Sequence, residues 1–223
     1  MCKEASRVTL SIDEIRRLYD LLSPVYDFFT RYEAAARKKA LEITATGKGF
    51  RVLEVGFGTG KLLLEFARKV GETGQVCGLD ISSRMVNRAR KNVESQNLIE
   101  KVDLVIGDVN NTPFLNSTFD VVLSSYLLDL VDTPNIPKVL GEFERVLRQG
   151  GRLVLVSLSK GQRWFDNMKL YEWIYARSPS LFGGCRPILL EPQLKQLSFK
   201  NVNRELIHAG YLMPTEIVWA DKN

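Results

Sequence analysis

The sequence predicts a doubly wound α/β fold built on a seven-stranded, mostly parallel sheet. Strand-like and helix-like segments alternate along most of the chain, and this pattern is typical of parallel strands joined by helices. A length of 223 residues with 45% hydrophobic residues is ample for a core. The chain shows no internal repeat at the periods of about 20–50 residues typical of repeat proteins.

The first 45 residues are expected to form a helical cover that precedes the sheet. Ser11 and Glu14 have the spacing of a capping box in front of Ile15, which predicts a helix start. Ser23-Pro24 then predicts a second helix, because proline fits the first turn of a helix.

The strands of the sheet are predicted from short β-rich runs between the helical segments. A closing pair near the C-terminus completes the set. The strands are expected over residues 50–55, 75–79, 101–106, 119–124, 152–158, 201–207 and 212–220.

Helices are expected between these strands wherever apolar residues recur at helical spacing. One covers residues 61–70, and another begins after a cap at Ser82 or Ser83. A third contains the apolar residues of 139–147, and the glycine pair at 150–151 is expected to end it.

Composition excludes several classes of protein and site. No run of 18 apolar residues exists to cross a bilayer, and the polar N-terminus does not fit a secretory signal. Cys2, Cys77 and Cys185 form neither a disulfide framework nor a metal-binding spacing, so we expect a cytoplasmic protein without a metal. The net charge of +5 is scattered along the chain, so nucleic acid is not an expected partner.

A glycine-rich turn follows the first predicted strand in the sequence Val-Leu-Glu-Val-Gly-Phe-Gly-Thr-Gly-Lys, residues 52–61. Glycines at alternate positions let the backbone turn sharply and let a ligand approach the main chain. Asp80 ends the second strand 20 residues after Gly60. An acid there can accept two hydrogen bonds from a ribose diol, so a nucleoside-containing ligand is indicated.

Two phosphate-binding motifs fail at this turn. The dinucleotide fingerprint G-x-G-x-x-G ends on a glycine. If it starts at Gly58 that position holds Leu63, and if it starts at Gly56 the position holds Lys61, so it is not matched. The P-loop motif requires a glycine where this chain has Val55, and Ser or Thr where it has Leu62, so it is not matched either. The glycine turn therefore indicates a nucleoside without either phosphate signature.

The segment Glu-Val-Gly-Phe-Gly-Thr-Gly at 54–60 resembles the E/D-x-G-x-G-x-G motif of class I S-adenosylmethionine-dependent methyltransferases. The Gly-Asp-Val at 107–109 and the Glu-x-x-Arg-Val-Leu-Arg-Gln-Gly-Gly at 142–151 resemble later motifs of that family. The UbiE-like branch, which methylates quinone precursors, is the most similar. That branch carries an Arg-Asn pair after the fourth strand, where this chain has Asp129-Leu130.

The resemblance implies a Rossmann-like methyltransferase fold and a site for S-adenosyl-L-methionine. Glu54 would orient the methionine ammonium, Asp80 would hold the ribose hydroxyls, and Asp108 would accept from the adenine amino group. The residues that the resemblance places at the cofactor are Glu54, Gly56, Gly58, Thr59, Gly60, Asp80, Ile81, Asp108, Val109 and Ser125.

No catalytic residue is fixed by the motifs, but three candidates follow from position. Family members often close the site with an N-terminal Tyr-Asp segment, which here is Tyr19-Asp20 or Tyr26-Asp27. Tyr26 and Tyr126 are aromatic candidates beside the methyl group, with ordinary packing as the alternative. Asp129 is a candidate general base near the mouth of the pocket, with a capping or solvated role as its alternative. The single histidine, His208, is expected to be structural.

Residues 162–190 are expected to form a substrate-side insertion. Trp164, Met168, Tyr171 and Tyr175 share one face of a helix, which either packs on the sheet or caps an apolar pocket. Contact of outward aromatic residues with a bilayer or a partner is a further alternative.

Together these observations predict a single methyltransferase domain over residues 1–223 that acts on a small, apolar, quinone-like or lipid-like acceptor. One alternative is a catalytically silent cofactor-binding or scaffold protein with the same fold. The other is a nucleotide-dependent oxidoreductase.

Overall fold

The computed structural model describes residues 7–29, 31–159, 167–207 and 214–223. Within these residues, seven strands form one sheet. The strands are β1 (Arg51–Val55), β2 (Gln75–Asp80), β3 (Val102–Ile106), β4 (Phe119–Ser125), β5 (Leu147–Leu158), β6 (Phe199–Ile207) and β7 (Thr215–Lys222).

Helices precede the sheet and connect its strands. The predicted N-terminal helices and the helices between the strands are present among the described residues. They are α1 (Ile12–Leu22), α2 (Tyr26–Phe29), α3 (Ala34–Ile43), α4 (Lys61–Lys69), α5 (Ser83–Ser95), α6 (Ile136–Val146), α7 (Asn167–Arg177) and α8 (Glu191–Leu194). No helix in the described part of the chain has both the length and the apolar character needed to span a bilayer.

The strand order is β3-β2-β1-β4-β5-β7-β6. Strands β1 to β5 pair in parallel, whereas β7 runs antiparallel to both of its neighbours. The mostly parallel sheet is therefore confirmed, with one antiparallel hairpin at its edge. Because β1 has β2 on one side and β4 on the other, a crevice opens at the carboxyl ends of these strands.

Both faces of the sheet are buried, which makes the fold doubly wound. Val52 and Val121 face one side, where Phe66 of α4 packs against them. Leu53 and Val122 face the other side with the apolar residues of α6. Neighbouring strand residues alternate between the two clusters because strand side chains have a period of two.

The helix caps agree with the sequence at two positions. The Glu14 amide donates to Ser11 Oγ at 3.3 Å and the Ser11 amide donates to Glu14 Oε2 at 2.8 Å, which confirms the capping box. Ser82, and not Ser83, caps α5, since its Oγ accepts from the Met85 amide at 3.1 Å. The Ser23-Pro24 pair lies in a turn, and α2 begins only at Tyr26.

The end of α6 corrects the sequence-based boundary. The helix ends at Val146, before the glycine pair, and β5 begins at Leu147. Leu147 has an extended backbone with ψ of 138° and pairs with Phe119 of β4. Strand pairing therefore ends the helix earlier, and Gly150, with φ of +70°, lies at an irregularity in the strand. At the closing pair, β7 begins at Thr215, while 212 and 213 lie outside the described residues.

Gly78 in β2 allows close packing of helix α4 and the glycine turn on the sheet. A Cβ at this position would lie 2.6 Å from Phe57 Cδ1 and 3.1 Å from Leu63 Cδ1. We predict that Gly78→Ala lowers the free energy of unfolding by about 1–3 kcal/mol, because overpacking forces these buried side chains to move.

The matched control is Gly141→Ala in α6, where a Cβ meets no atom within 4 Å. This change should raise stability by about 0.5–1 kcal/mol, since alanine favours the helix. Urea denaturation of both variants measures the difference. Equal stability of the two variants would contradict the packing role of Gly78.

Candidate functional site

A cavity of about 250 Å³ lies at the carboxyl ends of β1, β2, β3 and β4. Its floor is formed by the glycine turn after β1 and by the turns after β2 and β3. Its walls come from the N-terminal segment, including Tyr19 and Tyr26, and from the loop between β4 and α6. The cavity therefore occupies the crevice that the strand order predicts for a ligand.

A smaller pocket of about 30 Å³ adjoins this cavity on the side of α3 and α4. Glu33, Arg37 and Glu54 are among its lining residues, so charged residues form a larger share of its lining than of the main cavity's. The two spaces have lining residues in common. These shared residues are Tyr26, Gly56, Ser125 and Tyr126.

The glycine turn exposes its backbone to the cavity through two of its three glycines. Gly56 and Gly58 have φ of +73° and +54°, and both line the cavity. A Cβ at Gly58 would lie 3.2 Å from the Tyr26 ring, and one at Gly56 would lie 3.1 Å from Leu127. Residues with side chains would therefore be strained here and would also narrow the cavity.

Asp80 joins the turns after β1 and β2. Its Oδ2 accepts from the Gly58 amide at 2.9 Å, and its Oδ1 accepts from the Ser82 amide at 2.9 Å. Burial raises the pKa of Asp80 to about 6, although the backbone hydrogen bonds oppose that shift. The carboxyl group lines the cavity between the two turns, and it is the strongest acceptor at that position.

The turn after β3 brings a second acid to the same end of the cavity. Asp108 lines the cavity together with Val109, and Ile81 lies beside them after β2. Asp108 Oδ1 accepts from the amide and the side chain of Asn110 at 2.9 and 2.8 Å. These bonds hold the carboxylate in place, and its second oxygen accepts no hydrogen bond from the described residues.

Two buried polar atoms beside the smaller pocket have no hydrogen-bond partner within the described residues. They are Glu54 Oε2 and Ser125 Oγ. Glu54 is 3% exposed, and burial raises its pKa well above the usual range, while the charge of Arg37 acts to lower it. A buried polar atom without a partner is costly, so both atoms point to a polar ligand.

The N-terminal segment is attached to both turns by carboxylates. Asp20 Oδ1 accepts from Ser82 Oγ at 2.6 Å, at the start of α5. Asp27 accepts from Thr59 Oγ1 at 2.7 Å and from Lys61 Nζ at 2.9 Å, at the start of α4. Burial acts to raise the pKa of Asp27, but the Lys61 and Thr59 hydrogen bonds outweigh it and the pKa is lowered.

The two N-terminal tyrosines form one aromatic wall of the cavity. The ring centroids of Tyr19 and Tyr26 lie 5.9 Å apart, with the rings tilted by 50°. Burial raises the pKa of both hydroxyl groups well above the usual range, so both remain neutral at physiological pH. The Tyr19 hydroxyl also lies 3.8 Å from Cys185 Sγ, which joins this wall to the loop after α7.

Comparison with known proteins places the chain in a family. A family model described as a methyltransferase domain matches residues 52–151. A demethylmenaquinone methyltransferase of Bacillus licheniformis is 31% identical over 177 residues, which cover 79% of this chain and 73% of the relative. The chain belongs to the UbiE-like family of class I S-adenosylmethionine-dependent methyltransferases.

Other members of the family match a smaller share of their own length. A demethylmenaquinone methyltransferase of Desulfitobacterium hafniense is 30% identical, over 77% of this chain and 66% of the relative. The ubiquinone/menaquinone biosynthesis C-methyltransferase UbiE of Hydrogenovibrio crunogenus is 31% identical, over 71% of this chain and 61% of the relative. The chain thus spans slightly less than two thirds of the length of these relatives.

Solved structures confirm the methyltransferase fold. The [4+2]-cyclase SpnF superposes with a TM-score of 0.77 at 18% identity and covers 99% of both chains. A SAM-dependent methyltransferase from Aquifex aeolicus gives 0.67 at 23% identity, over 91% of this chain and 97% of that one. At such identities the likeness concerns the fold alone.

In this UbiE-like chain, most of the predicted site residues lie around the main cavity. Gly56, Gly58, Asp80, Ile81, Asp108, Val109 and Ser125 line it. Thr59 and Glu54 line the smaller pocket instead. Gly60 lies behind the turn, where a Cβ would meet Ala89 Cβ at 2.9 Å, so it serves the packing of α4 on α5.

Tyr126 lines both spaces, and its backbone has φ of +56°, which is uncommon for a residue with a side chain. The Tyr126 hydroxyl lies 3.0 Å from Thr215 Oγ1 of β7. This contact fixes the ring against the sheet, so the aromatic candidate after β4 stands at the junction of the two spaces.

Asp129 does not lie at the pocket mouth, which corrects the sequence-based interpretation. It is fully buried and outside the cavity lining, and its Oδ2 accepts from the Leu158 amide at 3.0 Å. Burial raises its pKa well above the usual range, whereas the Leu158 bond and the nearby Arg186 charge act to lower it. Asp129 therefore holds the loop after β4 to the end of β5.

For the tyrosines of the predicted insertion, the structure favours packing, one of the two alternatives, over a cap. Tyr171 and Tyr175 are buried in the core, and their hydroxyls donate to the carbonyls of Cys185 and Gly184 at 2.7 and 3.2 Å. Neither lines the cavity. Trp164 and His208 lie outside the described residues.

The sequence identified the two Tyr-Asp pairs as candidates to close the site but gave no role to their acids. Asp20 and Asp27 each follow a tyrosine, and the Tyr-Asp repetition was the available signal. Their partners are distant in the chain, at 59–61 and 82–84, so only the fold reveals the attachment. Within the described residues, no group of three or more His, Cys, Asp and Glu side chains is arranged to hold a metal ion.

We predict that Asp129→Ala lowers the free energy of unfolding by about 2–4 kcal/mol, because it removes a buried bond to Leu158 and one of the two carboxyls near Arg186. Chemical denaturation measures this loss. The folded variant should still bind S-adenosylhomocysteine with the affinity of the parent protein. Full stability together with lost turnover would instead support the general-base interpretation.

Proposed function

We propose that this protein is an S-adenosyl-L-methionine-dependent methyltransferase acting on a small, apolar, quinone-like acceptor. The observation that carries the proposal is the pair of adjoining spaces that meet at Tyr26, Gly56, Ser125 and Tyr126. Their polar groups match a nucleoside at one end and a zwitterionic tail at the other. The demethylmenaquinone methyltransferases among the relatives support a quinone-like acceptor.

The adenosine portion fits the floor of the main cavity. Asp80 would accept hydrogen bonds from the two ribose hydroxyls, and Asp108 would accept from the adenine amino group. Ile81 would lie against the base, with the Val109 amide as a donor to the ring. Gly56 and Gly58 offer bare backbone below the ribose.

The methionine portion fits the smaller pocket. Glu54 Oε2 is buried without a partner in the described residues, and a ligand ammonium would supply the missing donor. The charge of Arg37 at the same pocket suits the ligand carboxylate. Thr59 is proposed to complete the methionine end, and Gly60 to support the turn from behind.

When bound, S-adenosylmethionine supplies a sulfonium methyl group that a nucleophile displaces in line, with the electron pair left on sulfur. The protein aligns the partners and excludes water. Tyr26, Ser125 and Tyr126 lie where the two spaces meet and would flank that methyl group. Aromatic faces favour a nearby cation, and the rings of the two tyrosines would provide such faces to the sulfonium.

The N-terminal residues 7–29 are proposed as a cover over the cofactor. Asp20 and Asp27 attach this segment to both cofactor turns, and Tyr19 and Tyr26 line the cavity from it. The region after β5 is proposed to support the site from behind. Gly184 packs beside Leu10, which lines the cavity. In this proposal residues 1–223 form one methyltransferase domain.

The test of function is a methylation assay with methyl-labelled S-adenosylmethionine and a metabolite extract, followed by identification of the labelled product. We expect a labelled apolar product and S-adenosylhomocysteine. Cofactor binding without label transfer would support the silent-scaffold alternative. Tight binding of a nicotinamide cofactor, together with no binding of S-adenosylmethionine, would support the oxidoreductase alternative.

We predict that cofactor affinity falls about tenfold between pH 7.5 and pH 5. The carboxylate of Asp80 accepts hydrogen bonds from the ribose, and its protonation below a pKa of about 6 removes that charge. Calorimetric titration with S-adenosylhomocysteine across this range measures the change.

Asp80→Asn serves as the control for this pH dependence. The variant should bind at least about tenfold more weakly at pH 7.5, because it loses a charge-assisted hydrogen bond. Its affinity should then stay nearly constant down to pH 5. An equally steep pH profile in a folded Asn variant would show that another group is responsible.

A further inference from the structure

The loop after β4 forms an end of the cavity that the cofactor proposal does not use. We propose that the acceptor binds there, between residues 8–10 and Leu130–Asp132, and that it is an uncharged molecule whose own hydroxyl donates a hydrogen bond to Asp132. This inference rests on the proposed function, since it assigns the adenosine to the opposite end.

Topology separates the two ends of the cavity. Asp108 follows β3, and β4 lies on the other side of β1 from β2 and β3. The loop after β4 extends further still, because Asp129 in that loop accepts from Leu158 at the end of β5. The lining residues Leu130, Val131 and Asp132 therefore stand beyond the methyl position and away from the adenine.

Apolar side chains form most of this end. Val8 and Leu10 approach from the N-terminal segment, and Leu130 and Val131 approach from the loop. Gly184 packs behind them: a Cβ there would lie 3.1 Å from Leu130 and 3.3 Å from Leu10. Such walls favour an apolar body in the ligand.

Asp132 is the charged group at this end. Its Oδ1 accepts from the Val8 amide at 3.2 Å, which fixes the carboxylate in the wall. Its Oδ2 accepts no hydrogen bond from the described residues and remains available to a ligand. An ionised carboxylate only accepts hydrogen bonds, so it suits a hydroxyl and repels an anion.

No lysine, arginine or histidine of the described residues lines the cavity to offset this charge. Arg186 is the cation near Asp132, but it is fully buried behind the loop and donates to the Val131 carbonyl at 2.5 Å. Its donors therefore do not reach a ligand in the cavity. The arrangement selects hydroxyl-bearing acceptors over carboxylates and phosphates of the same shape.

Three naphthalene probes of similar shape test this selection in the S-adenosylhomocysteine-loaded protein. They are 2-naphthol, which is uncharged and donates, 2-methoxynaphthalene, which cannot donate, and 2-naphthoate, which is an anion. We expect 2-naphthol to bind at least about tenfold more tightly than either of the others, as a hydrogen bond to a charged group implies. Fluorescence titration measures the three affinities.

Asp132→Asn removes the charge with almost no change in shape. It should reduce the preference for 2-naphthol over 2-naphthoate by about tenfold, because the repulsion of the anion is lost. The matched control is Asp103→Asn, an exposed acid of β3 outside the cavity, which should keep the preference of the parent protein.

Equal affinity of the parent protein for 2-naphthol and 2-naphthoate would overturn the proposal, and this measurement needs no variant. Failure of all three probes to bind, or an unchanged preference in folded Asp132→Asn, would overturn it as well. Each of these results is obtained with S-adenosylhomocysteine bound. Absence of S-adenosylhomocysteine binding would instead refute the proposed function itself, so the two failures are distinguishable.

Discussion

The hydrogen bond from the Gly58 amide to Asp80 joins the turns after β1 and β2 and gives the site its shape. Gly58 has φ of +54°, a backbone conformation that glycine adopts at little cost. The hydrogen bond also keeps a partly buried carboxyl at the cavity surface, where burial raises its pKa to about 6. Burying a carboxylate in this way costs free energy of folding, and such groups are typical of binding sites.

The N-terminal segment depends on the same two turns. Asp20 accepts from Ser82, beside Asp80, and Asp27 accepts from Thr59, beside Gly58. Partly exposed ion pairs contribute little individually, about 0–1 kcal/mol each. Asp27 nonetheless combines Thr59, Lys61 and Arg88 on one carboxylate, so the attachment is shared among several bonds. The turns that form the floor of the cavity thus also hold the aromatic wall, Tyr19 and Tyr26, in place.

Local sequence was sufficient for the features that local chemistry decides. Short β-rich runs between helical segments predicted the parallel strands, and the motif at 54–60 with Asp80 predicted the floor of the cavity. It was insufficient where distant residues decide: Asp129 accepts a hydrogen bond from the Leu158 amide, and Tyr171 donates one to the Cys185 carbonyl. Helix α6 likewise ends at Val146, because the next residue, Leu147, pairs with Phe119 of β4. This pairing overrides the glycine signal at 150–151.

The loop after β4 shows how one fold can serve different chemistry. The superposition on a [4+2]-cyclase shows that proteins named for different reactions share this fold, so the fold alone does not determine the reaction. Where the UbiE-like branch has an Arg-Asn pair, Asp129 here is directed into the core toward Leu158 and Arg186. That position is therefore outside the cavity lining. The neighbouring residues Leu130 to Asp132, where we propose that the acceptor binds, line the cavity instead.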